Sequence, residues 1–372
     1  MRVLHINCNY ISSALHCQLI AELNNQGVHN VVFAPISSAT IRRVTPSEND
    51  VVAECFRKWD RICFDYKQSK IGKALDKALG EEQFDLIHAY TLFTDGNTAM
   101  KRSLKTGEPY VVTVRNTDIN AFLRWRPYLR PRAIKIMQNA KAVFFLSEAY
   151  RKTMFDKYVP TRYHAELLAK SYIMPNGLAG FWSSNLRNDV ERPHLAAEKP
   201  LKLLYAGRID RNKNIPTTQK AMAILRERGI DSTLTVVGEA EDKQEYAHIA
   251  SDAFTTCLPA TNEEGLLPIY RNHDIFVMPS FTETFGLVYL EAMSQGLPVV
   301  YTAGQGFDGQ LPEGTVGYHV DPHSPQSVAD AIQQIVAHYA EIASAVPQLT
   351  RQFTWQGIAA KYITIYRRIV EG

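Results

Sequence analysis

The 372-residue chain is poor in cysteine: Cys8, Cys17, Cys55, Cys63 and Cys257 are odd in number and lack CxxC spacing. That excludes a disulfide framework and a cysteine zinc site, and leaves buried thiols. No uninterrupted apolar run approaches the roughly 20 residues that a membrane span needs. The opening residues 1–7, MRVLHIN, form a short apolar run followed by polar residues and lack a secretory signal pattern, so a cytoplasmic protein is expected. Repeats and low-complexity tracts are absent, and no DxD-like acidic cluster is apparent, so no metal site is expected. What remains is an ordinary globular composition, 45% hydrophobic and 21% charged, in a chain too long for one typical core. The net charge of +3 conceals an asymmetry: residues 1–180 hold 25 Lys and Arg against 16 Asp and Glu, and the remainder 16 against 22. A basic first half points to a polyanionic partner, meaning an anionic membrane surface, a phosphorylated acceptor or nucleic acid.

Strand-like and helical patterns alternate along the chain. In the first half, strands are expected at 3–7, 30–34, 85–89, 110–114 and 142–146, with helices at 17–26, 71–79 and 98–105. In the second, strands are expected at 201–206, 232–237 and 254–258, with helices at 215–228, 246–251 and 263–270. Such alternation argues for an α/β protein of two doubly wound, Rossmann-like domains. The domains are expected at 1–182 and 201–353, joined by a polar linker at 183–200. Residues 354–370 place Trp355, Ile358, Tyr362, Ile365 and Ile369 on one helical face, a terminal helix.

The most informative stretch is 279–300, PSFTETFGLVYLEAMSQGLPVV. Flanking apolar runs at 274–278 and 297–301 read as buried strands, and 286–295 as a helix ended by Gly296. Backbone N–H groups of Thr284, Phe285, Gly286, Leu287 and Val288 then sit at a helix N-terminus, where the dipole and unpaired donors favour an anion such as phosphate. Glu283 lies before the turn and Glu291 inside the helix, about 12 Å apart if helical throughout. Carboxylates that far apart cannot share one proton or metal, but they can hold hydroxyls at both ends of an extended ligand. Phosphate in the middle and polyol at each end describes a nucleotide-sugar.

This Glu, seven residues, Glu arrangement resembles the motif of retaining glycosyltransferases of the GT-B fold, especially glycosyltransferase family 4. The resemblance implies two domains facing across a cleft, with Glu283 on donor-sugar hydroxyls, Glu291 on the ribose and the terminal helix 354–372 crossing back to the first domain. Residues 203–214, LLYAGRIDRNKN, resemble the family's Gly-Arg, spacer, Lys-Asn element: Gly207 ends a strand, and Arg208 and Lys213 would neutralise the donor diphosphate in place of a metal ion. No cofactor is implied, the UDP- or GDP-sugar being a substrate. Gly238 either permits close ligand approach or serves a turn, and Leu258 would meet the base through its backbone. Nothing distinguishes uracil from guanine or adenine.

In the first half, Ser12 and Ser13 stand where the family has glycines; they would face the acceptor, and they also suit a helix N-cap. After the strand at 110–114, family members often have His-Gly-x-Asp, whereas this chain has Arg115 and Asn116 and keeps Asp118. Arginine cannot cycle a proton near neutral pH, but the front-face mechanism proposed for the family needs no histidine base, because the departing phosphate oxygen takes the acceptor proton. Arg115 would then stabilise the diphosphate or an anionic acceptor. His88 ends a strand and either lines the acceptor pocket with Asp118 or is structural. The run 120–132, NAFLRWRPYLRPR, interleaves Arg124, Arg126, Arg130 and Arg132 with Trp125 and other apolar residues. That mixture suits an anionic membrane interface, a stacked phosphorylated ligand or a solvated loop.

The expectation is a retaining, metal-independent hexosyl- or N-acetylhexosaminyl-type transferase. It would act on a glycan or lipid-linked acceptor in cell-surface polysaccharide or glycolipid synthesis, as a cytoplasmic or peripheral protein at the inner face of the plasma membrane. Rival readings are a GT-B nucleotide-sugar epimerase or phosphorylase, disfavoured by the Glu motif and by the lack of an evident cofactor-lysine segment. A catalytically impaired nucleotide-sugar binding protein is supported by Arg115 and the missing glycines. Nucleic-acid binding rests on the basic half alone, and no nucleic acid is expected.

Overall fold

The computed structural model describes residues 1–48, 50–187, 195 and 199–372. The chain divides into two compact units. Unit 1 comprises Met1–Leu146, Tyr150–Asn176 and Trp355–Gly372; unit 2 comprises Ser147–Ala149 and Gly177–Thr354.

Unit 1 holds β1 (Arg2–Ile6), β2 (His29–Ser37), β3 (Val51–Phe56), β4 (Leu86–Ala89), β5 (Tyr110–Val114), β6 (Ala142–Phe145) and β7 (Ser171–Ile173), in the spatial order β3-β2-β1-β4-β5-β6-β7. Every pairing is parallel, so helices cover both faces and the central strands are continuous apolar runs. β3 and β7 were not expected from the sequence. Unit 2 holds β8 (Leu201–Ala206), β9 (Ser232–Val237), β10 (Thr255–Leu258), β11 (Ile275–Val277), β12 (Val299–Thr302) and β13 (Gly317–Val320), in the order β10-β9-β8-β11-β12-β13, again all parallel.

The helices that bear on the sites are α1 (Ala14–Asn25), α2 (Phe64–Leu79), α3 (Thr94–Thr106), α4 (Arg130–Asn139), α5 (Ile215–Glu227), α6 (Glu263–Arg271), α7 (Leu287–Ser294) and α8 (Trp355–Glu371). α8 completes the core of unit 1: Ile358, Tyr362 and Tyr366 bury with Val3, Leu19, Leu23 and Phe144. The units divide at Asn176 and Gly177, six residues before the boundary drawn from the sequence, because Trp182 is fully buried and packs edge-on against Tyr270 of α6. Of the expected linker 183–200, residues 188–194 and 196–198 lie outside the described residues.

In each sheet the strand order reverses once, between β1 and β4 and between β8 and β11. Loops leaving the carboxyl ends of strands at such a reversal form a crevice where open α/β sheets bind ligands. In unit 2 those loops are 207–214 and 278–286, the two segments that stood out in the sequence.

Candidate active site

The loop after β8 is built by local backbone requirements. Gly207 adopts φ 147°, and the Tyr205 hydroxyl donates to the Arg208 carbonyl at 2.5 Å. Asp210 accepts from the Lys213 N–H at 3.1 Å, and Asn214, at φ 57°, starts α5 while its amide donates to the carbonyls of Pro279 and Pro322. Asn212 clasps the opposite loop: it donates to the Thr282 carbonyl at 2.8 Å and accepts from the Thr282 N–H at 3.0 Å. The outcome is an ion pair between Lys213 and Glu283 at 2.6 Å, each side chain 13% exposed. A pair so sheltered is screened less than a surface one, and removal of either partner strands the other's charge.

Glu283 is held from behind as well. Its N–H donates to Gln305 Oε1 at 3.0 Å, its carbonyl accepts from Gly306 at 3.2 Å, and its second carboxylate oxygen accepts from the Thr284 N–H at 2.9 Å. The Thr284 donor expected to face an anion is therefore engaged within the motif. Gly286, at φ 76°, turns the chain into α7, and the N–H groups of Leu287 and Val288 open that helix, where no earlier turn supplies carbonyls. The Phe285 side chain anchors this turn, buried in the core against Phe307 and Phe353.

Beside this pair lies a cavity of about 230 Å³ lined by Gly207, Arg208, Gly238, Glu239, Val288 and Glu291, with Ala260 and Thr261 on its wall. The fold thus gathers five expected donor-site residues. Gly238 is required by the protein itself, since a Cβ there would lie 1.7 Å from the Gly207 carbonyl oxygen. The Leu258 carbonyl accepts from the Gly238 N–H at 3.1 Å, which uses one of its two lone pairs. Arg208, largely exposed, meets both oxygens of Glu241 at 2.9 and 3.1 Å. Burial pushes the Glu291 carboxyl up to about 7, and the nearby charge of Glu263 adds to this against the Tyr270 hydroxyl bond. Sequence reasoning missed Asn212, Glu241, Tyr270, Gln305 and Gly306. Only the paired glycines at 304 and 306, following a strand, signalled a tight approach.

In unit 1, Ser13 caps α1 by accepting from the Leu15 N–H, and the Ser12 hydroxyl donates to the Asn9 carbonyl at 2.9 Å. Arg115 donates through Nε to the Tyr90 carbonyl at 3.2 Å and sets Nη2 2.9 Å from His16 Nε2. Burial and that guanidinium hold His16 well below the usual histidine range, a neutral ring that accepts at Nε2.

Two residues expected at the acceptor site are buried within unit 1: for His88 the structural alternative holds, and Asp118 departs from its expected place. His88 is fully buried, its Nε2 bonded to Thr113 and its Nδ1 to Tyr366, and it stacks on Tyr90; it ties α8 to the sheet. Asp118 is 1% exposed and accepts from the N–H groups of Leu92, Phe93 and Arg115, clamping the loops after β4 and β5. An alanine there leaves three buried donors unpaired, each costing about 1–3 kcal/mol. Asp118→Ala is expected to lower Tm by several degrees, with Asp118→Asn intermediate. Unchanged melting with a raised acceptor KM would return Asp118 to the acceptor site.

The family model for Glycosyltransferase Family 4 matches residues 17–177, and that for Glycosyl transferases group 1 matches residues 187–346. D-inositol 3-phosphate glycosyltransferase of Paenarthrobacter aurescens is 35% identical over 181 residues, 46% of this chain and 44% of its own length. The chain thus spans less than half of that relative. Among solved structures, sucrose-phosphate synthase from Thermosynechococcus elongatus superposes with a TM-score of 0.74 at 19% identity, over 100% of this chain and 99% of that one. Anabaena HepE, in complex with UDP and glucose, superposes with a TM-score of 0.63 at 18% identity, over 100% and 98%. At such identities the likeness is one of fold.

Proposed function

We propose that this chain, which is a family 4-like glycosyltransferase of the GT-B fold, moves a hexosyl or N-acetylhexosaminyl group from a UDP- or GDP-sugar to a glycan or lipid-linked acceptor with retained configuration. The observation that carries the reading is the Lys213–Glu283 pair beside a cavity holding Arg208 and Glu291, at the strand-order reversal of unit 2. HepE, bound to UDP and glucose, supports a donor of this class.

In this reading the diphosphate exchanges the carboxylate partners of Arg208 and Lys213 for its own oxygens, the guanidinium as a planar fork and the ammonium as a point charge. Val288 and Leu287 N–H groups add to the same anion, and Glu291 accepts from ribose hydroxyls. The bond from the sugar anomeric carbon to the diphosphate breaks through an oxocarbenium-like state. The acceptor oxygen bonds that carbon on the face the diphosphate leaves, and the departing oxygen takes the acceptor proton. Charge developing on the leaving group is met by fixed cations and dipoles, which is where preorganised electrostatics contributes most.

Because those groups supply the neutralisation, transfer is expected to survive EDTA, with product of the donor's anomeric configuration. A donor panel assayed by product formation tests this. Loss of transfer in EDTA that magnesium or manganese restores would overturn the metal-independent leaving-group chemistry. Tight donor binding with no transfer to any acceptor would favour a binding protein.

A further inference from the structure

We infer that unit 1 carries a docking surface for an anionic lipid bilayer, made from two segments well separated in sequence. Of the eleven large hydrophobic side chains most exposed among the described residues, five lie on these segments: Trp59 at 77%, Ile62 at 75% and Tyr66 at 54% around the start of α2, and Trp125 at 71% and Tyr128 at 64% before α4. Isolated exposed apolar residues are ordinary, but a concentration of tryptophan and isoleucine this exposed marks an interaction face.

The two segments form one face because contacting rings tie them together. Phe64 meets Phe93 edge-on at 6.2 Å, and Phe93 stacks on Phe122 at 5.0 Å. Above this ladder Arg132 pairs with Asp65 and covers the Phe64 ring at 5.3 Å. The sequence assigned Arg132 to a membrane surface, but its charge is committed to Asp65.

Charge identifies the occupant. The acidic residues of the face are neutralised internally, Asp60 by Lys70 at 2.7 Å and Asp65 by Arg132. Lys58, Arg124, Arg126 and Arg130 have no carboxylate partner among the described residues, and Arg57 adds its charge beside Asp60, whose carboxylate accepts from the Arg57 N–H at 2.7 Å. Arg124 and Arg126 lie over Trp125 and Phe122 at 4.9 and 5.1 Å, which sets cations beside rings. Indole at headgroup depth with arginine against anionic lipid satisfies both components, whereas Ile62 offers a nucleic acid no stacking surface. The surface bears on the lipid-linked side of the proposed acceptor, but docking requires no transfer activity.

The test is flotation of the full chain, without donor or acceptor, with vesicles of phosphatidylcholine alone or mixed with phosphatidylglycerol. Binding is expected only with phosphatidylglycerol and is expected to weaken at least tenfold as salt rises. Trp fluorescence should shift to the blue on binding; Trp182 and Trp355 are already buried, so the shift reports Trp59 and Trp125. Trp59→Ala with Trp125→Ala should reduce partition about tenfold or more at unchanged Tm. Lys58→Gln with Arg124→Gln and Arg126→Gln should remove most of the salt dependence. Absence of wild-type binding at low salt, equal binding to phosphatidylcholine, preference for an oligonucleotide, or a lipid-free dimer abolished by the tryptophan variant would each overturn the inference.

Discussion

Glu283→Ala is expected to cut turnover by about 10²–10³-fold, the scale on which one preorganised transition-state contact acts, while nucleotide diphosphate affinity changes by only a few fold. The carboxylate is held at both oxygens, by the Lys213 ammonium at 2.6 Å and the Thr284 N–H at 2.9 Å, and the backbone behind it is anchored by Gln305 and Gly306. When the diphosphate draws Lys213 away, the Thr284 N–H and the anchored backbone still hold the carboxylate, so it reorganises little as charge develops on a sugar. The alanine variant also leaves Lys213 without its partner in a sheltered position, so Glu283→Gln is the needed companion: it keeps a hydrogen-bond acceptor for Thr284 and removes the charge. Lys213→Ala, by contrast, should weaken both turnover and diphosphate affinity, since its cation meets the leaving group in ground and transition states alike. The measurement is kcat/KM alongside nucleotide diphosphate titration for all three variants. Full turnover in Glu283→Ala would remove this carboxylate from the chemistry.

Local patterning made much of unit 2 legible. The apolar runs around residues 279–300, punctuated by Gly286 and Gly296 at φ 76° and 83°, become β11, α7 and β12 as expected, because a buried parallel strand and a short helix each leave a distinct signature. Placement of polar residues was less legible, because it depends on distant chain. His88 reads as a strand-end histidine until Tyr366, 278 residues away, closes over it. Asp118 reads as a family site residue until three backbone N–H groups converge on it. Phe285, inside the most recognisable motif, is claimed by the core. The partners of Arg208 and Lys213 are likewise long-range, Glu241 across 33 residues and Glu283 across 70. β3 was not legible because its two valines are followed by Ala53, Glu54 and Cys55, which give no clean alternation.

Gly238→Ala is expected to damage both the stability of unit 2 and donor affinity, although it adds only one methyl group. The added Cβ would stand 1.7 Å from the Gly207 carbonyl oxygen and 2.8 Å from its carbon. Those atoms are backbone, fixed by the Gly207 N–H bond to Val237 and the Gly238 N–H bond to Leu258, so no rotamer change relieves the clash and the ends of β8 and β9 must separate. Overpacking of this kind typically costs about 1–3 kcal/mol, a Tm loss of several degrees for a unit this size. Gly207 and Gly238 both line the cavity, so the same movement should weaken nucleotide diphosphate binding. Gly306→Ala meets the Thr284 carbonyl oxygen at 1.8 Å and should act similarly, through the loop that holds Glu283. The control is Gly72, in α2 with nothing within 4 Å of an added Cβ; there alanine should gain about 0.5–1 kcal/mol from helix propensity. Thermal melts with and without nucleotide diphosphate separate the cases: Gly72→Ala should melt at or above the wild type, and the other two below it with a smaller ligand-induced rise. If Gly238→Ala melts and binds as the wild type does, the close backbone approach is not what shapes the cavity.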